Sequence, residues 1–208
     1  MVTVYNKQDI QINFKPNEND HFRVLQPEDG DIFFDVGAYD ADISKRASAL
    51  AKDMKFILVE PNPTHYANIA TTMEGLDYIL HPKAVAIETG NMILNIFSSD
   101  HKGGSFLKEY VFRDIHYPID QITVRVDTAD NILGGIEPDF IKIDTEGFGL
   151  HVLSSFTKIK TGAKFHIEYH WNLPQMLVAC LIKDIKIIEL DLWQEFSGQT
   201  GAIHGVKL

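Results

Sequence analysis

The feature that most constrains this chain is a repeated alternation of a short apolar run with an amphipathic helical stripe. DIFFDVG (31–37) is too short for a helix and ends on glycine. Behind it Ala47, Leu50, Ala51 and Met54 fall at the i, i+3, i+4, i+7 spacing of one helical face. The unit repeats: KFILVE (55–60) reads as a second strand, and after Pro61 and Pro63 comes the stripe Tyr66, Ile69, Ala70, Met73. KAVAI (83–87) reads as a third strand. Further on, FIKID (140–144) precedes a helix expected over about Gly147 to Lys158, and FHIEYH (165–170) precedes the stripe Met176, Leu177, Cys180, Leu181. KIIEL (186–190) and GAIHGVK (201–207) are the last strand candidates. Strands joined by helices of crossover length build a parallel sheet covered on both faces, so the expected class is α/β.

The rhythm breaks once. Met92–Phe97 and Ile122–Val126 are strand-like with no strong helix between them, and they flank a polar stretch containing Gly103 and Gly104. We read 91–126 as an antiparallel strand-loop-strand inserted into the series. Residues 1–29 form a prelude in which Ile10, Ile12 and Phe14 alternate like a short strand and Pro27–Gly30 reads as a turn. No repeat or low-complexity linker appears, so a single domain over 1–208 is expected. At 45% hydrophobic and 23% charged, a disordered or fibrous chain is excluded. The net charge of −10 repels phosphate backbones and argues against a nucleic-acid substrate. The one cysteine, Cys180, offers neither a disulfide nor a thiolate cluster, and its place on an apolar stripe suits the core better than a nucleophile. No run approaches the roughly 20 apolar residues that span a bilayer, and the first residues lack a signal-peptide pattern. A cytoplasmic protein without a membrane partner is expected.

Ligands of open α/β sheets bind beyond the carboxyl ends of the strands. The first strand ends in Asp35-Val36-Gly37-Ala38-Tyr39, where Gly37 permits a tight turn and a close approach of backbone to ligand. A single glycine does not make the G-x-G-x-x-G of a dinucleotide site. Asp35 would repel a pyrophosphate and accept from an amino group, which favours a ligand with an amino-acid moiety. Glu60, 23 residues beyond Gly37, ends the second strand at the spacing of a carboxylate that reaches both ribose hydroxyls. Together Gly37 and Glu60 read as a nucleoside site, although a Gly and a Glu at strand ends are common in any α/β domain.

DIFFDVGAYDADIS, VEPNP, DFIKIDTEG and FHIEYH, in this order over residues 30–170, together resemble the FkbM-type family of S-adenosylmethionine-dependent methyltransferases. The resemblance implies a Rossmann-like class I methyltransferase fold of about seven mostly parallel strands, the last antiparallel, with the insertion before the fourth core strand. It implies S-adenosyl-L-methionine as cofactor and O-methyl transfer as the usual chemistry. By position it places Asp35, Gly37, Ala38 and Tyr39 around the methionine part and Glu60 on the ribose. Pro61 and Asn62 would line the adjoining turn, and Lys83 and Ala84 would bound the adenine. The chain departs from the family pattern at Ala41, where glycine is usual and the methyl would tighten the pocket, and at Phe148-Gly149.

A hydroxyl acceptor benefits from a base or a metal that stabilises the emerging alkoxide. Period two puts Lys142 and Asp144 on one face of FIKID, and His166, Glu168 and His170 on one face of FHIEYH. If those strands are neighbours, Asp144, Glu146, Glu168 and His170 converge as a catalytic cluster, with Asp144 or His170 as base and at least one carboxyl raised in pKa. Lys142 and His166, deeper in their strands, are expected to be structural. No metal ligand set is assigned. His101, Ser105, Phe106, Tyr110 and His116 are candidates to cover a small-molecule or carbohydrate acceptor. A Rossmann-type NAD-dependent dehydrogenase or epimerase, and a catalytically silent cofactor-binding module, are the competing readings. Hydrolase and NTPase motifs are absent.

Overall fold

The computed structural model describes residues 10–14, 21–97, 104–107, 118–193 and 200–208. In chain order the elements are β1 (Gln11–Asn13), β2 (Ile32–Val36), α1 (Asp42–Leu50), β3 (Lys55–Val59), α2 (Tyr66–Thr72), β4 (Asp77–His81), β5 (Ala84–Val85), β6 (Gly90–Ile96) and β7 (Gly104–Ser105). There follow β8 (Asp120–Asp127), α3 (Ala129–Leu133), β9 (Phe140–Ile143), α4 (Gly149–Ser154), β10 (Lys164–His170), α5 (Leu173–Ile182), β11 (Ile185–Leu192) and β12 (Thr200–Lys207).

Eight strands make the main sheet in the order β1-β11-β12-β10-β9-β2-β3-β4. From β10 to β4 every pairing is parallel, whereas β12 runs antiparallel to both β10 and β11. The class I methyltransferase architecture expected from the sequence is therefore present, with its final strand antiparallel. The prelude strand β1 adds an eighth strand, parallel to β11 at the sheet edge. One face packs α3, α4 and α5 over Phe34, Val36, Ile141, Ile143 and Ile167. The other face packs α1 and α2 with Phe22 over Phe33, Phe56 and Phe140. The Phe33 and Phe140 rings stack at 5.1 Å, and each buried ring contributes about 1.5–3 kcal/mol through area removed from water.

The third core strand differs from the expectation. It is β4, not KAVAI; Ala84–Val85 belong to a second, four-stranded sheet in the order β5-β8-β6-β7. β4 is a half-exposed edge strand carrying Asp77 and His81, so it lacks the continuous apolar run that marks buried parallel strands. The second sheet holds the expected antiparallel pairing of β6 with β8. The helix after β9 is also shorter than expected. Gly149 opens α4 rather than interrupting it, so the helix-interior penalty of glycine does not arise.

A row of ionisable residues crosses the main sheet on the α1/α2 face. Asp35, Lys142, His166, His204 and Glu189 lie at directly paired positions on five adjacent strands, and all are buried. Apolar neighbours do not solvate charges, so each must find a partner within the row or above it.

Candidate active site

The carboxyl ends of β2, β3 and β9 open into a cleft of about 630 Å³, its solvent-filled mouth included. Gly37, Tyr39, Glu60, Asn62, Ala84, Phe106, Asp144 and Glu146 are among the residues lining it. Gly37 adopts φ +81°, and a β-carbon there would sit 1.8 Å from the carbonyl oxygen of Asp144. Only glycine lets the two strand tips meet. Beyond it the loop is strained, with Tyr39 at φ 51° and Ala41 at φ 62°, and Glu146 across the cleft at φ 49°. Such left-handed conformations persist where surrounding contacts over-determine them.

Glu60 supplies those contacts. Its two carboxylate oxygens accept from the backbone N–H of Tyr39 at 2.9 Å and of Asn62 at 2.8 Å, tying the two loops together. Each oxygen keeps a lone pair for a further donor. Asn62 caps the turn that follows, its Oδ1 accepting from Thr64 N. Its buried Nδ2 and the buried hydroxyl of Thr145 have no hydrogen-bond partner among the described residues. Both residues line the cleft. Unpaired buried donors beside a cavity are what a polar ligand would satisfy.

Behind the cleft, Lys142 lies 3.1 Å from Asp35 and 3.6 Å from Asp144, and its ammonium donates to the carbonyl of Gly37 at 2.7 Å. Asp35 is fully buried and also accepts from the Ser44 hydroxyl at 2.6 Å. Burial acts to lower the Lys142 pKa, but the carboxylates of Asp35 and Asp144 outweigh it and keep the ammonium charged.

Asp144, Glu168 and His170 bring a ligand atom each within 4.8 Å of one another, and His170 Nε2 lies 3.8 Å from Glu146 Oε2. The four residues expected to converge do so. Asp144 is pushed up to about 7, first by desolvation and then by the Glu168 charge, with Lys142 opposing. Burial works to raise Glu168 as well, but the rings of His166 and His21 outweigh it and hold Glu168 ionised. His166 is lowered to about 4 by burial and His170 is lowered for the same reason, so both imidazoles are neutral at neutral pH.

Of the residues assigned from sequence to the cofactor, Gly37, Tyr39, Glu60, Pro61, Asn62 and Ala84 line the cleft. Asp35 lies beneath it, committed to Lys142 and Ser44, and Ala38 packs into the α1/α2 core. Lys83 turns away to Asp127 at 3.2 Å. Ala41 is a core residue at the start of α1, so its methyl does not narrow the cleft. Asp144 and Glu146 line the cleft, while Glu168 and His170 stand next to Asp144. Ser105 donates to the Glu146 carbonyl at 2.7 Å, and Phe106 packs on Phe148 at 4.9 Å. His101, Tyr110 and His116 lie outside the described residues. Sequence reasoning missed His65, Thr145 and Phe148. His65 packs edge-on against Tyr39 at 4.6 Å and approaches Glu60 at 3.3 Å; the Pro61-Asn62-Pro63 turn was the only signal for it.

The family model for the methyltransferase FkbM domain matches residues 35–192. The chain belongs to that family. None of the curated proteins matches the sequence significantly. Among solved structures, methyltransferase FkbM from Methylobacillus flagellatus KT superposes with TM-score 0.57 at 15% identity, over 88% of this chain and 45% of its own. The FkbM-family chain thus spans less than half the length of that protein. Precorrin-6y C5,15-methyltransferase from Geobacter metallireducens GS-15 gives TM-score 0.51 at 12% identity, over 97% of this chain and 96% of its own. The ribosomal protein L11 methylase of Lactobacillus delbrueckii subsp. bulgaricus gives 0.51 at 10%, over 86% and 71%. At these identities the likeness is one of fold. No helix among the described residues is long and apolar enough to cross a membrane.

Proposed function

We propose that this FkbM-family methyltransferase uses S-adenosyl-L-methionine to methylate a hydroxyl of a small molecule or carbohydrate. The observation that carries the reading is the direct junction between the cleft and the acidic corner: Asp144 belongs to both. Gly37 and Tyr39 would hold the methionine part, and the remaining lone pairs of Glu60 suit the ribose hydroxyls. The unpaired Asn62 amide and the walls at Pro61 and Ala84 suit the adenine. When bound, the cofactor supplies an electrophilic methyl whose C–S bond breaks as the acceptor oxygen attacks, leaving S-adenosylhomocysteine.

The chain's own contribution is alignment and proton management. Asp144, with a pKa near working pH, is suited to take the acceptor's proton on a carboxylate oxygen. Glu168 stays ionised beside it and maintains that poise, while Glu146 and His170 flank the space an acceptor would enter. A surface of net charge −10 favours neutral or cationic acceptors over polyanions.

Calorimetry and thermal melting with S-adenosylhomocysteine and with NADH test the reading. A ligand at 100 times its Kd adds about 2.7 kcal/mol of apparent stability. S-adenosylhomocysteine should stabilise the protein and NADH should not; the reverse result would assign a dehydrogenase. Asp144→Asn should keep S-adenosylhomocysteine binding and lose most turnover on hydroxylated acceptors. Binding with no turnover by the unmodified protein on any such acceptor would leave a cofactor-binding module.

A further inference from the structure

We propose that His21, His166 and Glu168 form a divalent-cation site of the zinc class, sharing Glu168 with the acidic corner, that fastens the segment before β2 to the sheet. The three residues come from two distant parts of the chain. His166 and Glu168 share one face of β10, while His21 lies in the stretch leading to β2. One donor atom of each lies within 4.8 Å of the other two. Glu168 Oε1 is 3.3 Å from His21 Nε2 and 3.6 Å from His166 Nε2. A tetrahedral ion with bonds of about 2.0–2.2 Å separates its ligand atoms by about 3.4 Å, an edge that the two spacings to Glu168 bracket.

A second observation points to a ligand. His166 is 3% exposed, yet neither ring nitrogen has a hydrogen-bond partner among the described residues, and Nδ1 of His21, at 8% exposure, has none either. An imidazole buried with both nitrogens unpaired is costly, and it lies 4.8 Å, ring to ring, from His21. Among the described residues no arginine or lysine forms an ion pair with Glu168, and only the two imidazoles come within ion-pair distance of it. Arg23 is committed to Glu189 and Asp191, and Lys142 to Asp35 and Asp144. A cation among the three would pair with the carboxylate and bind a ring nitrogen of each imidazole at once.

The donor set selects the kind of ion. Imidazole suits zinc, iron, nickel and copper, whereas magnesium and calcium prefer all-oxygen shells. Two histidines and one carboxylate leave a position for water or a further ligand. His21 would then be bonded to the sheet through the metal, next to the Arg23 contacts with β11 acids that already anchor this segment.

The full chain, stripped with a chelator, is titrated with Zn²⁺ against a chromophoric competitor, with Mg²⁺ as control. One equivalent of zinc per chain is expected, with no competition from magnesium. His21→Gln should weaken zinc at least about 10–100-fold, the loss typical even for residues that only support a ligand. His81→Gln, on the far edge strand, should bind as the unmodified protein does. Should His21→Gln fail to fold by circular dichroism, Co²⁺ added to the unmodified chain decides. Visible d–d bands of four-coordinate intensity support the site, and their absence overturns it. Failure of zinc to bind stoichiometrically, or equal affinity in His21→Gln, also overturns the proposal. None of these readouts involves methyl transfer, so they are independent of the functional reading above.

Discussion

Replacing Gly37 by alanine tests the contact on which the cleft is built. Two costs add at this position. The φ of +81° is disfavoured for an L-residue by about 1–2 kcal/mol. The new methyl would also stand 1.8 Å from the Asp144 carbonyl oxygen, a backbone atom that cannot swing aside, and overpacking of this kind costs about 1–3 kcal/mol. The expected loss is therefore about 2–5 kcal/mol. Gly75 is the internal control, because it has φ +80° and nothing within 4 Å of an added β-carbon. Gly75→Ala should lose only the conformational cost of about 1–2 kcal/mol. Urea unfolding followed by far-ultraviolet circular dichroism gives both midpoints, and the difference between the variants isolates the clash. Gly37→Ala should also lose S-adenosylhomocysteine binding, since relieving the clash forces β2 and β9 apart at their tips. Equal destabilisation of the two variants would refute the claim that strand-tip contact, rather than φ alone, requires glycine here.

Lys142→Met should destabilise the protein by about 3–5 kcal/mol, because Asp35 would be left buried without its cation. Adding Asp35→Asn should recover part of that loss, and a double-mutant cycle in urea measures the coupling. The pH dependence of Asp144 has a definite sign. Its pKa is raised on folding, so its contribution to stability is complete below about pH 4, the ordinary carboxyl value, and declines as pH rises through about 7. Asp144→Asn should accordingly match the parent protein near pH 4, gain on it steadily up to about pH 7 and hold that advantage above it in thermal melts; an advantage that shrinks with rising pH would contradict the assignment. The proposed methyl transfer by the unmodified protein should rise through about pH 7, and that limb should vanish in the variant.

Much of this architecture was legible because buried parallel strands announce themselves. DIFFDVG, KFILVE and FIKID are continuous apolar runs, and helices α1 and α2 follow the first two, although α1 stops at exposed Leu50, before Ala51 and Met54, and α2 stops before Met73. β4 escaped notice because an edge strand buries only part of its surface and can carry Asp77 and His81. The acidic corner could be anticipated from period two alone once β9 and β10 were taken as neighbours. The position of Asp35 could not: a carboxylate at a strand end looks like a ligand contact until the ammonium that claims it, 107 residues later, is placed on the adjoining strand. His65 and His21 were hidden for a similar reason. Each owes its place to a turn or extended segment whose path has no periodic signature.

Arg23 and His21 reach over the sheet face that carries Glu168, Glu189 and Asp191. The stretch before β2 therefore acts as a counter-ion strap as well as a cover. A chain trimmed to begin at Asp31 would retain all the sheet strands except β1, and would lose Phe22 from the cluster around Phe33, Phe56 and Phe140. It would also leave three low-lying carboxylates without the arginine and imidazole that face them, and water would have to flood that side of the sheet to solvate them. The boundary of the folding unit therefore reaches back to residues 21–23, where charge neutralisation by His21 and Arg23 joins the burial of Phe22.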